Sequence, residues 1–444
     1  MKATGKHPLI TGALILTVTG VLSRVIGFFY RIYLSRMFGE EGMGLYQLLS
    51  PVLSISFSLT AAGYQTAISK LVAEQAAGSK RPTLRPMLAG FSISMPLSVL
   101  CNAVVYLSAD RIAVCLLREP RTADMLRILS FSIPLSAVHA CVNGHFYGVK
   151  KAGVPAASQL IEQFTRVGCV WLLSARCFAS GTSPSIEIAV LGLTVGELFS
   201  MLFSFAAIGS CRSGGAAQPR KTAKENLYGG LLAMALPLTA NRIVLNLLQS
   251  VESISIPTKL QLYGYDNVTA LSVYGVLTGM AMPFIFFPNA LTSSVAVLLL
   301  PIISENFALN NLEAVRKATV KTVCYCGIMG FFCMAGFVFL GDWIGTVIFH
   351  SPLAGYFITT LGFICPFLYL DTTLSSILQG LGKVGYIFAM NVFCLLIRLA
   401  FVLFLIPVYG IKGYLWGLLV SQLTQCLLYL LCLRRFLRQK PVPF

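Results

Sequence analysis

The stretch Gly20–Arg36, GVLSRVIGFFYRIYLSR, decides how the chain is read. It lies inside a longer apolar run, Pro8 to Leu34, yet Arg24 sits near its middle. At about 1.5 Å per residue such a run measures roughly 40 Å as a helix, enough to cross a hydrocarbon core of about 30 Å. Gly20, Arg24, Gly27 and Arg31 recur at steps of four, three and four, so they share one helical face. A charge at mid-membrane costs about 2.5–3.5 kcal/mol on insertion scales. The face that carries it must look at water, a ligand or an opposite charge, and we read it as facing a polar cavity that binds an anion.

The totals support a membrane reading. Of 444 residues 56% are hydrophobic and only 11% charged, and the mean hydropathy is +0.79. A soluble chain of this length would carry about a quarter charged residues. The fold class is therefore all-α, a polytopic membrane protein. The start, MKATGKHPLITGALILTVTG, has the basic end and apolar run of a signal peptide. It lacks a small-residue cleavage site and the apolar run continues past Arg24, so it is read as the first span. The thirteen cysteines are scattered, with Cys324 and Cys326 the only close pair. They read as small apolar packing residues, with no disulfide framework and no metal site.

Twelve apolar segments can be drawn, at 8–35, 42–70, 84–108, 123–147, 154–178, 185–209, 227–256, 268–300, 317–341, 355–379, 384–407 and 411–433. The short run Arg111–Leu117 is too brief to span and is expected in a loop. Twelve spans put both termini on one side. Twenty Lys and Arg residues fall on that side, among them Lys2, Lys6, Arg85, Lys150, Lys151, Arg316, Lys383 and Arg434, against six on the other. By the positive-inside rule both termini are cytoplasmic and the protein is a multi-pass cell-membrane protein. The net charge of +17 is spread over separate short segments, which argues against a nucleic-acid partner.

A basic Gly/Ser-rich segment, 211–225, divides the chain into an N-terminal six-helix lobe (1–210) and a C-terminal one (226–444). The halves are related. Gly148, Lys151, Gly153, Gln159 and Arg166 align at a constant offset of 232 with Gly380, Lys383, Gly385, Asn391 and Arg398. Ser23-Arg24 aligns with Asn241-Arg242 at 218, and Ile186, Gly192, Val195 and Glu197 with Ile411, Gly417, Val420 and Gln422 at 225. Both halves begin on the same side, so the repeat is parallel, and proteins built this way expose a central substrate site to each side in turn.

Charged residues inside the spans are the candidate site. Arg24 and Arg242 lie about sixteen residues from the cytoplasmic start of their spans, and Arg166 and Arg398 about twelve, which is near the bilayer middle. In span 7, Arg242, Asn246, Gln249 and Ser253 form a stripe like that of span 1, with Glu252 beside it at the outer mouth. Glu162 and Arg166 are four apart and suit a local ion pair as well as a ligand site. Arg398 lacks such a neighbour, and Asp371 is the expected partner. Asp371, Glu197 and Glu252 suit either a coupling ion or neutralisation of arginines. His139 and His145 read as core or loop residues. Arginine's planar fork matches phosphate, and an arginine-rich midplane suits a di-anionic headgroup better than a cationic drug. With a negative interior, carrying an anion outward is downhill by about 2.3 kcal/mol per charge per 100 mV.

The stretches GALILTVTGVLSRVIGFFYRIYLSRMFGEEGMGLYQLLSP, AISKLVAE, SQLIEQFTRV and SILQGLGKVG resemble the polysaccharide-biosynthesis and stage V sporulation protein B group of the multidrug/oligosaccharidyl-lipid/polysaccharide exporter superfamily, which includes lipid II flippases. The resemblance implies two pseudo-symmetric six-helix lobes around a central cavity lined chiefly by spans 1, 2, 7 and 8. It also implies outward transport of undecaprenyl-diphosphate-linked saccharide, with membrane lipids and cell-wall or spore-cortex synthesis proteins as partners. Carried over by position, Arg24 is a diphosphate contact, Arg31 is similar to a second arginine of span 1, and Arg242 resembles the cavity arginine of span 7. Asn246, Gln249 and Gln47 complete the expected substrate-binding set. Glu162, Arg166, Glu197, Glu252, Asp371 and Arg398 form the structural or coupling set. Span 2 offers Gln47 where the family has an arginine. Relatives commonly have two further helices for the lipid tail, which the twelve-span reading does not supply.

No cofactor is expected beyond coupling to proton, sodium or membrane potential. The alternative reading is a proton- or sodium-coupled multidrug or organic-cation antiporter of the same architecture, which acids lining the cavity would favour. A membrane enzyme is not expected, because paired carboxylates or a histidine-rich metal site at a membrane face would be required and the chain has only four His.

Overall fold

The computed structural model describes residues 8–78, 84–212, 227–309 and 311–438, and every regular element among them is helical. Most of the expected linker 211–225 lies outside the described residues, as do Lys2, Lys6, Lys80, Arg81, Arg220, Lys221, Lys224 and Lys440. We number the helices α1 (Pro8–Leu48), α2 (50–78), α3 (Arg85–Leu107), α4 (Thr122–Gly148), α5 (Gly153–Ala179), α6 (Glu187–Arg212), α7 (Leu227–Tyr263), α8 (267–308), α9 (Leu312–Ile348), α10 (352–380), α11 (Val384–Tyr409) and α12 (Ile411–Arg438).

Among the described residues, ten helices are long and apolar enough to cross a membrane, eleven with one bent pair. The twelve drawn in sequence map onto these with physical reasons for each difference. The helical stretch Ile15–Gln75 has 61 residues, which would be about 90 Å, far more than one crossing. It is broken where Gly39 takes φ 69° and ψ −172°, a conformation open to glycine and costly for other residues. α5 carries Glu162, Arg166 and Arg176, which keeps it outside the ten by composition although its 27 residues are long enough. α8 is broken into Asn267–Phe286 and Asn289–Ala308, because Pro288 has no N–H to continue the ladder. α10 is bent by 57° between Pro352–Gly362 and Cys365–Gly380, where Pro366 follows. The run Arg111–Leu117, expected in a loop, is instead mostly helical, Ala109–Arg111 continuing into a π-helical turn over Ile112–Leu116. Burial of Ala109 and Ala113 at 0% exposure gives that turn a packing face.

The internal repeat is written into the irregularities. The π-helical turn Ser58–Ala62 of α2 recurs as Val276–Ala281 of α8 at the offset of 218. Ile112–Leu116 recurs as Ile344–Ile348 at 232. Pro134 of α4 and Pro366 of α10, also 232 apart, each follow a helix break, at Phe131 and at Phe363–Ile364. Local distortions that follow the same offsets as the sequence matches are difficult to obtain by chance.

The chain folds as two compact units, which are cut differently from the halves drawn in sequence. The first takes Met1–Tyr30 and Leu48–Ser250, the second Arg31–Gln47 and Val251–Phe444. The reason is that α1 and α7 each belong partly to both. In the first unit, the early part of α7 packs on α2, with Gly63 against Thr239 and the Ala235 carbonyl, and Leu231 and Ala235 join a core with Ile68, Val72, Cys141 and Phe146. In the second, the end of α1 packs on α8 through Gly44 and Leu271, and Arg36 caps α9 by donating to the carbonyls of Ile348 (2.8 Å) and Val347 (3.1 Å). A second core there joins Leu299, Ile303, Ile377, Leu378, Ile387 and Tyr429.

The α1–α8 crossing is a backbone contact. A methyl group on Gly275 would collide with the Glu40 carbonyl and the Gly44 nitrogen, neither of which is a flexible side-chain end. Gly275→Ala is therefore expected to destabilise the protein by about 1–3 kcal/mol through overpacking. Gly168→Ala, where nothing lies within 4 Å, should leave thermal unfolding in detergent nearly unchanged. Equal melting of the two variants would contradict the close crossing.

Candidate functional site

The arginines of the spans divide into two kinds. Arg166 and Arg398 are held by carboxylates. Arg24 and Arg242 are exposed and make no ion pair or hydrogen bond among the described residues. Both belong to the first unit. Arg242 lies one turn from exposed Leu238, whereas the positions one turn from Arg24 on its helix are half-buried. Arg31 is half-buried and lies in the second unit.

The polar companions fall as follows. Asn246 donates from Nδ2 to the Ser54 carbonyl (3.2 Å) and to Ser58 Oγ (2.5 Å), tying α7 to the π-helical turn of α2. Gln47 donates to the Thr278 carbonyl at 3.5 Å, in the matching turn of α8. These two expected ligands therefore also brace helices at distorted turns, which are common at functional positions. Gln249 is exposed, like Arg242 on the same face.

In the second unit, Arg398 of α11 reaches Glu252 of α7 through Nε (2.6 Å) and Nη2 (2.7 Å). Tyr414 of α12 donates to the same carboxylate at 2.9 Å. Asp371 is thus not the partner of Arg398, and Glu252 is not at an open mouth but 4% exposed. The correction has a simple cause: Glu252 and Arg398 are 146 residues apart, so no local spacing could pair them. Asp371 is 6% exposed, and neither of its carboxylate oxygens has a hydrogen-bond partner among the described residues.

In the first unit the local pair expected from spacing is present, Arg166 Nη2 bonding Glu162 Oε1. It does not stand alone. Glu197 of α6 and His139 of α4 converge on it, with His139 Nδ1 3.0 Å from Glu197 Oε2. One ligand atom from each of His139, Glu162 and Glu197 lies within 4.8 Å of the others. His139 was read from sequence as a core or loop residue, and its side chain is indeed mostly covered. What the sequence missed is the convergence, for which the only signal was an unusual concentration of ionisable groups on three successive spans.

An all-helical chain with ten or eleven candidate membrane spans among its described residues and a repeated pattern of helix distortions has the fold of the multidrug/oligosaccharidyl-lipid/polysaccharide exporters. The chain belongs to the polysaccharide biosynthesis protein family, which it matches over residues 9–307. Residues 243–404 also match the MatE family. It is 28% identical over 433 residues to stage V sporulation protein B of Bacillus subtilis (strain 168), covering 96% of this chain and 83% of that protein. It is 23% identical to lipid II flippase MurJ of the same organism, covering 84% and 73%. Among solved structures, lipid II flippase MurJ in an inward closed conformation superposes with a TM-score of 0.72 at 16% identity, covering 95% of this chain and 87% of that one. An inward-facing multidrug resistance MATE family transporter gives 0.68 at 14% identity, covering 94% of each.

Breaking a buried ion pair leaves its partner charged in a dry place, at a cost of about 3–5 kcal/mol, whereas removing both ends costs less. Glu252→Gln and Arg398→Met should each lower thermal stability in detergent markedly. The double variant should melt above the sum expected from the singles, and strict additivity would show that the pair is not coupled.

Proposed function

We propose that the protein moves undecaprenyl-diphosphate-linked saccharide, a peptidoglycan precursor or polysaccharide unit, from the cytoplasmic to the outer leaflet by alternating access. The observation that carries this reading is that Arg24 and Arg242, inside their long apolar helices, are exposed and make no ion pair among the described residues. A guanidinium at that depth requires water or an anion. Two such forks suit a diphosphate, which accepts parallel hydrogen bonds from each and never has to compete with a built-in acid. The names of the relatives support the same substrate class. Both termini are cytoplasmic in this reading, in accord with the crowding of Lys and Arg on that side. The lipid tail stays in the bilayer while the headgroup enters the protein.

In mechanism, Arg24 and Arg242 orient the diphosphate, and Arg31, Asn246, Gln249 and Gln47 offer further contacts to headgroup oxygens. The membrane potential favours outward movement of the anion. The second reading, a proton- or sodium-coupled multidrug antiporter, draws support from the match of residues 243–404 to the MatE family and from the unpartnered Asp371. An acid without a partner in a membrane interior is suited to a cation.

Arg24→Ala and Arg242→Ala should each reduce flipping of a lipid-linked precursor, read by leaflet accessibility in cells depleted of the native protein, by tenfold or more with insertion unchanged. Lys at either position should restore part of the activity, since it returns charge without the bidentate fork. Normal flipping in both Ala variants, or unchanged flipping with lost drug resistance in depleted cells, would overturn the reading in favour of the antiporter.

A further inference from the structure

The cluster on α4, α5 and α6 has a charge count that does not close. Glu162 and Glu197 bring two negative charges and Arg166 one positive, with side chains only 13–16% exposed. One negative charge is left over in the interior of a membrane unit, where desolvation disfavours an isolated ion. His139 stands against the uncompensated carboxylate: its Nδ1 is 3.0 Å from Glu197 Oε2, and neither atom is hydrogen-bonded elsewhere among the described residues.

We propose that this cluster is a binding site for a single proton, taken up from water by the His139 imidazole. The balance is direct. The neutral ring accepts H⁺, becomes imidazolium, and brings the charge of the four side chains from minus one to zero. The site is held on three helices, so proton occupancy acts on the packing of α4 against α5 and α6. The competing occupant is a metal ion. A divalent ion would take the cluster to plus one and would contend with Arg166 for Glu162. Imidazole with carboxylate suits transition metals, whereas a hard monovalent ion such as sodium has little use for the ring nitrogen.

Besides His139, α4 itself carries Asp124 and Arg127 in its first part and His145 toward its end. α5 supplies Glu162 and Arg166, α6 supplies Glu197, and the charges that act on the imidazole are those of Glu197 and Glu162. α3 carries only Cys101 and Tyr106 as titratable groups after Arg85 at its start. α2 packs on α4 beside Tyr64 and carries Lys70 and Glu74 further toward its end.

The site is independent of what the protein carries, and so is its test. The full-length protein in detergent is melted at pH 6 and pH 8. If the cluster gains a proton, the native state binds it more tightly than the unfolded chain does, and the melting temperature is higher at pH 6. That difference disappears in His139→Gln. Glu197→Gln removes the surplus charge, so it should flatten the pH dependence and also raise the melting temperature at pH 8, a gain that a folding defect cannot imitate. Retention of the pH difference in Glu197→Gln, or a lower melting temperature at pH 8, overturns the proposal. So does stabilisation of the native protein at pH 8 by zinc or sodium that is lost in Glu197→Gln, which would make the site a metal site.

Discussion

A guanidinium placed halfway through a membrane has to find an anion or water, and the organisation of this protein follows from how that demand is met at each position. Arg398 meets it with Glu252 and Tyr414, joining α7, α11 and α12 in the second unit. Arg166 meets it with Glu162 and so draws α4 and α6 into a larger cluster of the first unit. Arg24 and Arg242 are exposed and make no ion pair or hydrogen bond among the described residues. The same side chain is therefore held by a carboxylate in two places and left exposed in two others. What separates the cases is the presence of a carboxylate, and the supply of acids is small, 16 against 33 basic residues.

The repeat makes the contrast sharper. Arg166 and Arg398 correspond at an offset of 232, yet their acids do not correspond. Glu162 is four residues from its arginine on one helix, while Glu252 comes from another helix 146 residues away. The carboxylate at 197 aligns with Gln422, which is neutral. Duplicated halves have kept the arginine and altered its compensation. The unmatched carboxylate of the cluster on α4, α5 and α6 goes with Glu197 standing where the other half has Gln422.

Part of the backbone geometry recurs between the halves, although the π-helical turn Phe401–Leu405 has no counterpart in the regular helix at 169–173. π-helical turns and proline-associated breaks recur at 218 and 232. Such turns leave carbonyls less well paired within the helix, and two of them receive amide donors, Asn246 near Ser58 and Gln47 at Thr278. The polar residues expected to meet a headgroup thus also secure the helices that would present it. Close glycine contacts, as at Gly44 and Gly275, let α1 be shared between the two units.

Much of this was legible in the amino-acid sequence. Hydropathy and length determined that the chain is helical and crosses the membrane many times, because helices and closed barrels alone satisfy their own hydrogen bonds in lipid and long unbroken apolar runs suit the helix. The offsets determined that the halves are related, and spacing along a helix was enough for Glu162 and Arg166, since residues four apart are neighbours on any helix. Tertiary structure alone decided the partner of Arg398, the exposure of Arg24 and Arg242, the division of α1 and α7 between units, and the meeting of His139 with Glu197. Those contacts join residues on different helices. Periodicity gives the face of a helix but not which neighbour that face meets, so they became visible only when the helices were packed.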